Sequence, residues 1–191
     1  MSRRILAAVL TMTALAALGH EQKQSVDQVM AGYIEAARPV REHDRLKTLA
    51  GSWKITTQLW MSPGKPLTGR GASTGRMVLG GRFLQMNATT KKPLPSESLT
   101  IFGFDRRTGE YTMTGFDTMG TYSISAAGRY NEPDQGVVLT GSYAMPPTGQ
   151  NQKYRFVWKA PSPDQHVLSL YFALPDGKEM LVAETAFDRV N

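Results

Sequence analysis

From Trp53 to the C-terminal end, apolar side chains recur at every second position, the period of a strand with one buried face. About ten such stretches can be read: 52–61, 68–79, 82–90, 97–105, 110–118, 121–129, 136–144, 152–160, 166–174 and 179–189. The breaks between them carry turn chemistry. Gly80-Gly81 suits a tight hairpin, and Asp105-Arg106-Arg107-Thr108-Gly109 and Leu174-Pro175-Asp176-Gly177 are turn sequences. No helix-length segment separates the strands, so parallel crossovers are not expected. The pattern predicts a mainly β chain: a single up-and-down antiparallel barrel, with a two-sheet sandwich as the alternative.

Ahead of Trp53 the period changes to that of a helix. Val26, Val29, Met30, Tyr33 and Ala37 follow helical spacing, Ser25 and Gln28 form a capping box, and Pro39 ends the run. A second short helix is predicted over about 42–49, with Leu46 and Leu49 on one face. The expected organisation is therefore a leader over 1–19, a helix and linker over 20–42, and a barrel over 43–191.

The leader reading rests on Arg3 and Arg4, the apolar run Ile5 to Leu18, and Ala17-Leu18-Gly19 ahead of a cleavage point before His20. The alternative is an uncleaved anchor, but the run is short for a bilayer. With cleavage, an exported protein, periplasmic or secreted and without a stable membrane anchor, is expected. Removing Arg3 and Arg4 lowers the formal charge from +6 to +4. The remaining basic residues are scattered, and the pairs Lys91-Lys92 and Arg106-Arg107 lack an aromatic setting, so no nucleic-acid partner is expected. The chain has no Cys, which removes disulfides, thiolate metal sites and a Cys nucleophile.

The run His43-x-x-Leu46-x-x-Leu49-Ala50-Gly51-x-Trp53 resembles the opening of the bacterial domain-of-unknown-function family 1579. Trp60-Met61-Ser62-Pro63-Gly64, Leu79-Gly80-Gly81-Arg82-Phe83-Leu84, Phe102-Gly103-Phe104-Asp105, Gly115-Phe116-Asp117-Thr118-Met119 and Glu184-Thr185-Ala186-Phe187-Asp188-Arg189 resemble further pieces of it in order. The resemblance spans about 43–190. It implies a calycin-like barrel, and no reaction or cofactor. One position departs from the pattern: Gly115 stands where the family leads us to expect Trp, which implies a roomier or differently shaped pocket. More distantly, Gly51-x-Trp53 with Arg189 resembles the lipocalin arrangement. That implies a structural pair, with the indole closing one barrel end and the guanidinium packed across it.

Strand parity sorts the candidate site. Tyr154, Phe156 and Trp158 should face inward, opposite Lys153, Arg155 and Lys159. Leu168, Leu170 and Phe172 share a face on the next strand. An aromatic wall beside a Thr-rich one suits a largely apolar small-molecule ligand with one or two polar anchors. The candidate ligand-binding residues are Trp60, Asp117, Met119, Tyr154, Trp158, Phe172 and Glu184. Two readings compete with it: an enzyme acting on a small molecule in the barrel cavity, and a core filled by its own side chains, serving as a structural or interaction module.

No catalytic residue is assigned. Asp117 and Glu184 could act as an acid/base pair only if they faced one another across a cavity; otherwise they should pair with an Arg such as Arg76 or Arg155, or reach solvent. His20, His43 and His166 are too few and too scattered for a metal site, and no cofactor is called for. His43 is expected as a cap or packing residue. His166, following a Pro-Asp turn, is expected to be exposed. Composition leaves the oligomeric state open.

Overall fold

A computed structural model describes residues 25–190 apart from 63, 146 and 147. The expected leader lies outside the described residues. The chain divides into two compact units, Met1–Arg38 and Pro39–Asn191.

Within the first unit, helix α1 (Val26–Ala36) carries the capping box read from sequence. The Gln28 backbone N–H donates to Ser25 Oγ at 3.2 Å, and the Ser25 N–H donates to Gln28 Oε1 at 3.2 Å. Its apolar residues Val26, Met30, Tyr33 and Ile34 are exposed.

The second unit opens with α2 (Arg41–Lys47) and continues into ten strands: β1 (Gly51–Leu59), β2 (Leu67–Val78), β3 (Phe83–Thr90), β4 (Ser96–Asp105), β5 (Glu110–Asp117), β6 (Ser123–Asn131), β7 (Gly136–Met145), β8 (Gln150–Ser162), β9 (Gln165–Ala173) and β10 (Glu179–Arg189). Each strand pairs antiparallel with its neighbours in sequence. β1 pairs with β10 from Trp53 opposite Arg189 to Leu59 opposite Ala183, which closes the barrel. Closure removes both free edges and rules out the sandwich.

Glycine marks two places where neighbouring strands come close. A β-carbon on Gly71 of β2 would run into the Thr89 carbonyl oxygen, and one on Gly128 of β6 into that of Val138. Backbone passes backbone there at a distance no side chain permits.

α2 covers the end where β1 begins and β10 finishes. Leu46 and Leu49 are buried beneath it, and the Trp53 Nε1–H donates to the Leu49 carbonyl at 2.9 Å. His43 is buried as well. Its Nδ1 accepts from the Val40 N–H at 3.0 Å, and its ring meets Phe104 edge-on at 5.9 Å. Tyr111, at the start of β5, reaches the Glu42 carbonyl of the helix. One end is thus sealed by short polar links over an apolar plug. Among the described residues no helix is long and apolar enough to cross a membrane.

Candidate functional site

The barrel interior is filled unevenly. Along β7 to β9, Tyr143, Tyr154, Phe156 and Phe172 pack ring against ring, with Tyr143 and Tyr154 5.9 Å apart and Tyr154 and Phe156 5.6 Å apart. Along β3, β4 and β10 several inward positions carry shorter side chains: Ala88, Ser98, Thr100, Ala183 and Thr185. Period-two alternation delivers these residues to the lumen, and their small volume leaves a cavity of about 330 Å³. That size lies at the lower end of small-molecule sites.

The cavity has an apolar floor and a hydroxyl-rich mouth. Ile55, Phe102, Trp158, His166 and Phe187 lie toward the end sealed by α2, with Leu168 and Leu170 above them. Toward the open end come Thr57, Thr90, Ser96, Ser98, Thr100 and Thr185. Several of these hydroxyls satisfy one another: Thr57 with Thr185 at 3.0 Å and Thr90 with Ser96 at 2.9 Å. Thr90 Oγ1 also donates to the Leu94 carbonyl. Ser73 donates to the Asn87 carbonyl at 2.9 Å. At the rim, Asp117 ends β5 and its Oδ1 accepts from the Met119 N–H at 2.8 Å, which holds the turn. Met119 is 72% exposed.

Behind the floor, the Arg189 guanidinium lies 4.1 Å from the Trp53 ring centre. Its nitrogens donate to the carbonyls of Thr48, Ala50 and Pro163, and it pairs with Asp164 at 3.2 Å. Gly51 has a φ of +129°, and a β-carbon there would sit 2.6 Å from Arg189 Nη1, so this position needs glycine.

The family model for "Protein of unknown function (DUF1579)" matches residues 38–189. The chain belongs to that family. No curated protein matches it. Among solved structures it is similar to Rv2717c from M. tuberculosis, at 14% identity over 81% of this chain and 100% of that one, with a TM-score of 0.56. It is more distantly similar to the S-type phycobiliprotein lyase CPES from Guillardia theta, at 12% identity over 83% and 97% of the two chains, TM-score 0.47. A de novo designed fluorescence-activating β-barrel matches at 15% identity over 77% and 98%, TM-score 0.40. At such identities the likeness to Rv2717c is one of fold, a calycin-like barrel.

In this member of DUF1579, three of the seven expected ligand-binding residues line the cavity: Asp117 and Met119 at the mouth and Trp158 at the floor. The other four do not. Tyr154 faces inward but belongs to the filled side, where its hydroxyl donates to the Ser125 carbonyl at 2.7 Å. Phe172 packs against Tyr143 on that same side. Trp60 falls one residue beyond β1, with Lys54 and Gln58 on the parity opposite to the lining residues Ile55, Thr57 and Leu59. Glu184 alternates with Ala183 and Thr185, which line the cavity, so its carboxylate points away; Oε2 accepts from Ser169 Oγ at 2.9 Å. Asp117 and Glu184 therefore do not face one another, and Arg155 takes Glu179 instead, at 2.5 Å.

The residue that sequence reasoning misplaced is His166. It is 3% exposed and part of the cavity lining. β9 begins at Gln165, immediately after the turn, so His166 already sits on the inward parity of Leu168 and Leu170. Its ring stacks on Phe187 (4.0 Å, 15°) and meets Trp53 edge-on (4.6 Å, 86°). Neither ring nitrogen has a hydrogen-bond partner among the described residues. Burial, with the Arg189 charge as a second cause, pushes the imidazole down to about 3, so it is neutral at physiological pH. Parity with Leu168 and Leu170 was the available signal.

Proposed function

We propose that this protein is an exported binding barrel that takes one compact, largely apolar molecule into the cavity between Trp158 and Asp117. The observation that carries this reading is the half-filled lumen. One wall is packed ring on ring, while the opposite wall presents small side chains around about 330 Å³. Keeping apolar surface uncovered forgoes packing energy at every lining atom, and a guest would restore it. The hydroxyls at the mouth supply hydrogen bonds for a polar edge of that guest without fixing its identity.

Native mass spectrometry of protein purified from its own periplasm, followed by thermal shift across a panel of lipids and metabolites, tests the binding reading. A consistent bound mass, or a saturable rise in melting temperature, is expected. An empty barrel with no shift across the panel overturns it. Export rests on Arg3, Arg4 and the apolar run Ile5 to Leu18. N-terminal sequencing of the mature protein should begin at His20; a protein that retains Met1 in the cytoplasm overturns that part.

A further inference from the structure

Two neighbouring strands bring three accessible polar side chains together at the mouth of the cavity. On β4, Ser98 and Thr100 share the inward parity of Phe102, and on β5 Asp117 shares that of Tyr111 and Met113. The β4–β5 register sets Ser98 directly opposite Asp117 and Thr100 opposite Gly115. Side chains opposite one another in a ladder have β-carbons about 4.5–5.5 Å apart, and diagonal neighbours are about 7–8 Å apart. A single small head group can therefore touch all three. Gly115 puts no side chain between them, and even a β-carbon there would have only Thr100 Oγ1 near it, at 3.7 Å.

These groups are open to a ligand and are not consumed by the fold. Ser98 and Thr100 are half-buried and Asp117 is exposed. Other hydroxyls of the lining are engaged: Thr57 with Thr185, Thr90 with Ser96, and Ser73 with the Asn87 carbonyl. Ser98 and Thr100 make no side-chain hydrogen bond among the described residues. Asp117 Oδ1 accepts from the Met119 N–H. Among the described residues Oδ2 accepts nothing, and the carboxylate enters no ion pair.

Charge separates the possible heads. Lys and Arg outnumber Asp and Glu in the chain, 22 to 16, yet none of them lines the cavity. Asp117 is the one Asp or Glu that does. The lining thus presents a single negative charge, at its rim, above an apolar floor.

We propose that Ser98, Thr100 and Asp117 form the head-group site of the cavity, and that its ligand is a primary amine bound as the ammonium, with its apolar body directed toward Phe102 and Trp158. The ammonium donates to Asp117 Oδ2 and to the Ser98 and Thr100 hydroxyl oxygens. This deepens the binding reading above and rests on it.

Other heads fit less well. A carboxylate or phosphate would face Asp117 with no Lys or Arg in the lining to offset the repulsion. A hydroxyl has one hydrogen to donate against three acceptors. A quaternary ammonium carries the charge but no donor. A primary ammonium has three donors and no acceptor, which matches the site, and its bond to a carboxylate is of the stronger, charge-assisted kind. Because Asp117 is exposed, water and salt weaken the contribution of its charge, so the discrimination is several-fold and not larger.

The test compares four probes of one chain length: n-octylamine, 1-octanol, octanoate and octyltrimethylammonium. Affinities are read by titration calorimetry on the purified full chain at low salt. Octylamine should bind at least about fivefold more tightly than octanol or octyltrimethylammonium, and octanoate most weakly. In Asp117→Asn, whose amide oxygen can still accept from the Met119 N–H, the ratio of amine to alcohol affinity should fall to about one. Thr100→Val keeps the carboxylate and should lower that ratio about twofold, so the site remains testable even if Asp117→Asn does not fold. A wild-type ratio near one, with octanol bound, overturns the head-group site and leaves the cavity reading standing. Equal affinity for octylamine and octyltrimethylammonium overturns the assignment to a primary amine. Tightest binding by octanoate overturns it in favour of an anion site. A ratio unchanged in both variants overturns it because the cation is then held elsewhere. Binding by none of the four also overturns it, and the native mass measurement then decides the cavity reading separately.

Discussion

The Arg189 guanidinium is centred 4.1 Å from the Trp53 ring while its three nitrogens reach the carbonyls of Thr48, Ala50 and Pro163. One side chain from the last strand thus ties together the segment after α2, the first strand and the β8–β9 turn. A planar fork can face an indole and donate in several directions at once; an ammonium cannot. Arg189→Lys should therefore lower the unfolding free energy by about 1–3 kcal/mol. Urea denaturation of wild type and variant measures this, and a change under about 0.5 kcal/mol, the ordinary scatter of surface substitutions, would show the contact to be incidental.

His166→Phe should stabilise the empty protein. The substitution keeps a ring between Phe187 and Trp53 and removes two buried nitrogens without partners. A gain of about 1 kcal/mol is expected. Urea denaturation of wild type and variant measures this, and an unchanged or lower midpoint would show that the unmatched nitrogens carry no cost.

The same residue sets an acid limb. His166 is held neutral down to about pH 3 in the folded chain, whereas in the unfolded chain it takes a proton near 6.5. Below pH 6.5 the unfolded state binds the extra proton, so its contribution to stability is complete above that value and falls as pH drops toward 3. The slope is up to about 1.4 kcal/mol per pH unit. Chemical denaturation at about pH 7, 5.5 and 4.5 should show a steeper loss for wild type than for His166→Phe. Parallel curves would mean that the imidazole charges in the folded state.

Gly115 faces the lumen on β5, and a β-carbon there would have Thr100 Oγ1 at 3.7 Å as its nearest neighbour, an ordinary contact. Gly115→Ala should leave ligand binding and melting temperature nearly unchanged. Gly115→Trp restores the residue that the family pattern leads one to expect, and it should fill the cavity. Any thermal shift given by a cavity ligand should then vanish, with the fold kept by circular dichroism. A full shift in Gly115→Trp would place the binding site elsewhere.

Gly71→Ala should behave oppositely. Its β-carbon would overlap the Thr89 carbonyl oxygen, which is backbone and cannot swing aside. A loss of about 3 kcal/mol or more is expected, at or above the usual range for overpacking, read as a lower denaturation midpoint. A neutral result would mean that the β2–β3 ladder relaxes more easily than its geometry implies.

How much of this was legible in the chain differs from residue to residue. All ten strands and both helices could be read locally, because turn residues and a period of two or 3.6 are properties of neighbouring residues. Trp158 could be assigned inward from Tyr154 and Phe156 alone. Glu184 and Trp60 could not be excluded as lining residues until the β1–β10 register set Ala183, Thr185 and Leu59 on the cavity side. The preceding Pro-Asp turn signals exposure for His166, whereas the residue holds the inward parity of Leu168 and Leu170 and its ring is covered by Phe187 and Trp53.

The sequence by itself determined the antiparallel barrel, its helical lead-in and the direction in which most strand side chains point, since each follows from short-range sterics and alternation. The tertiary structure alone decided which half of the lumen is full and which is hollow. Volume is a sum over ten strands that meet only when the barrel closes. It also decided that an indole and an imidazole, eight residues apart in sequence on neighbouring strands, share one floor with their nitrogens unmatched.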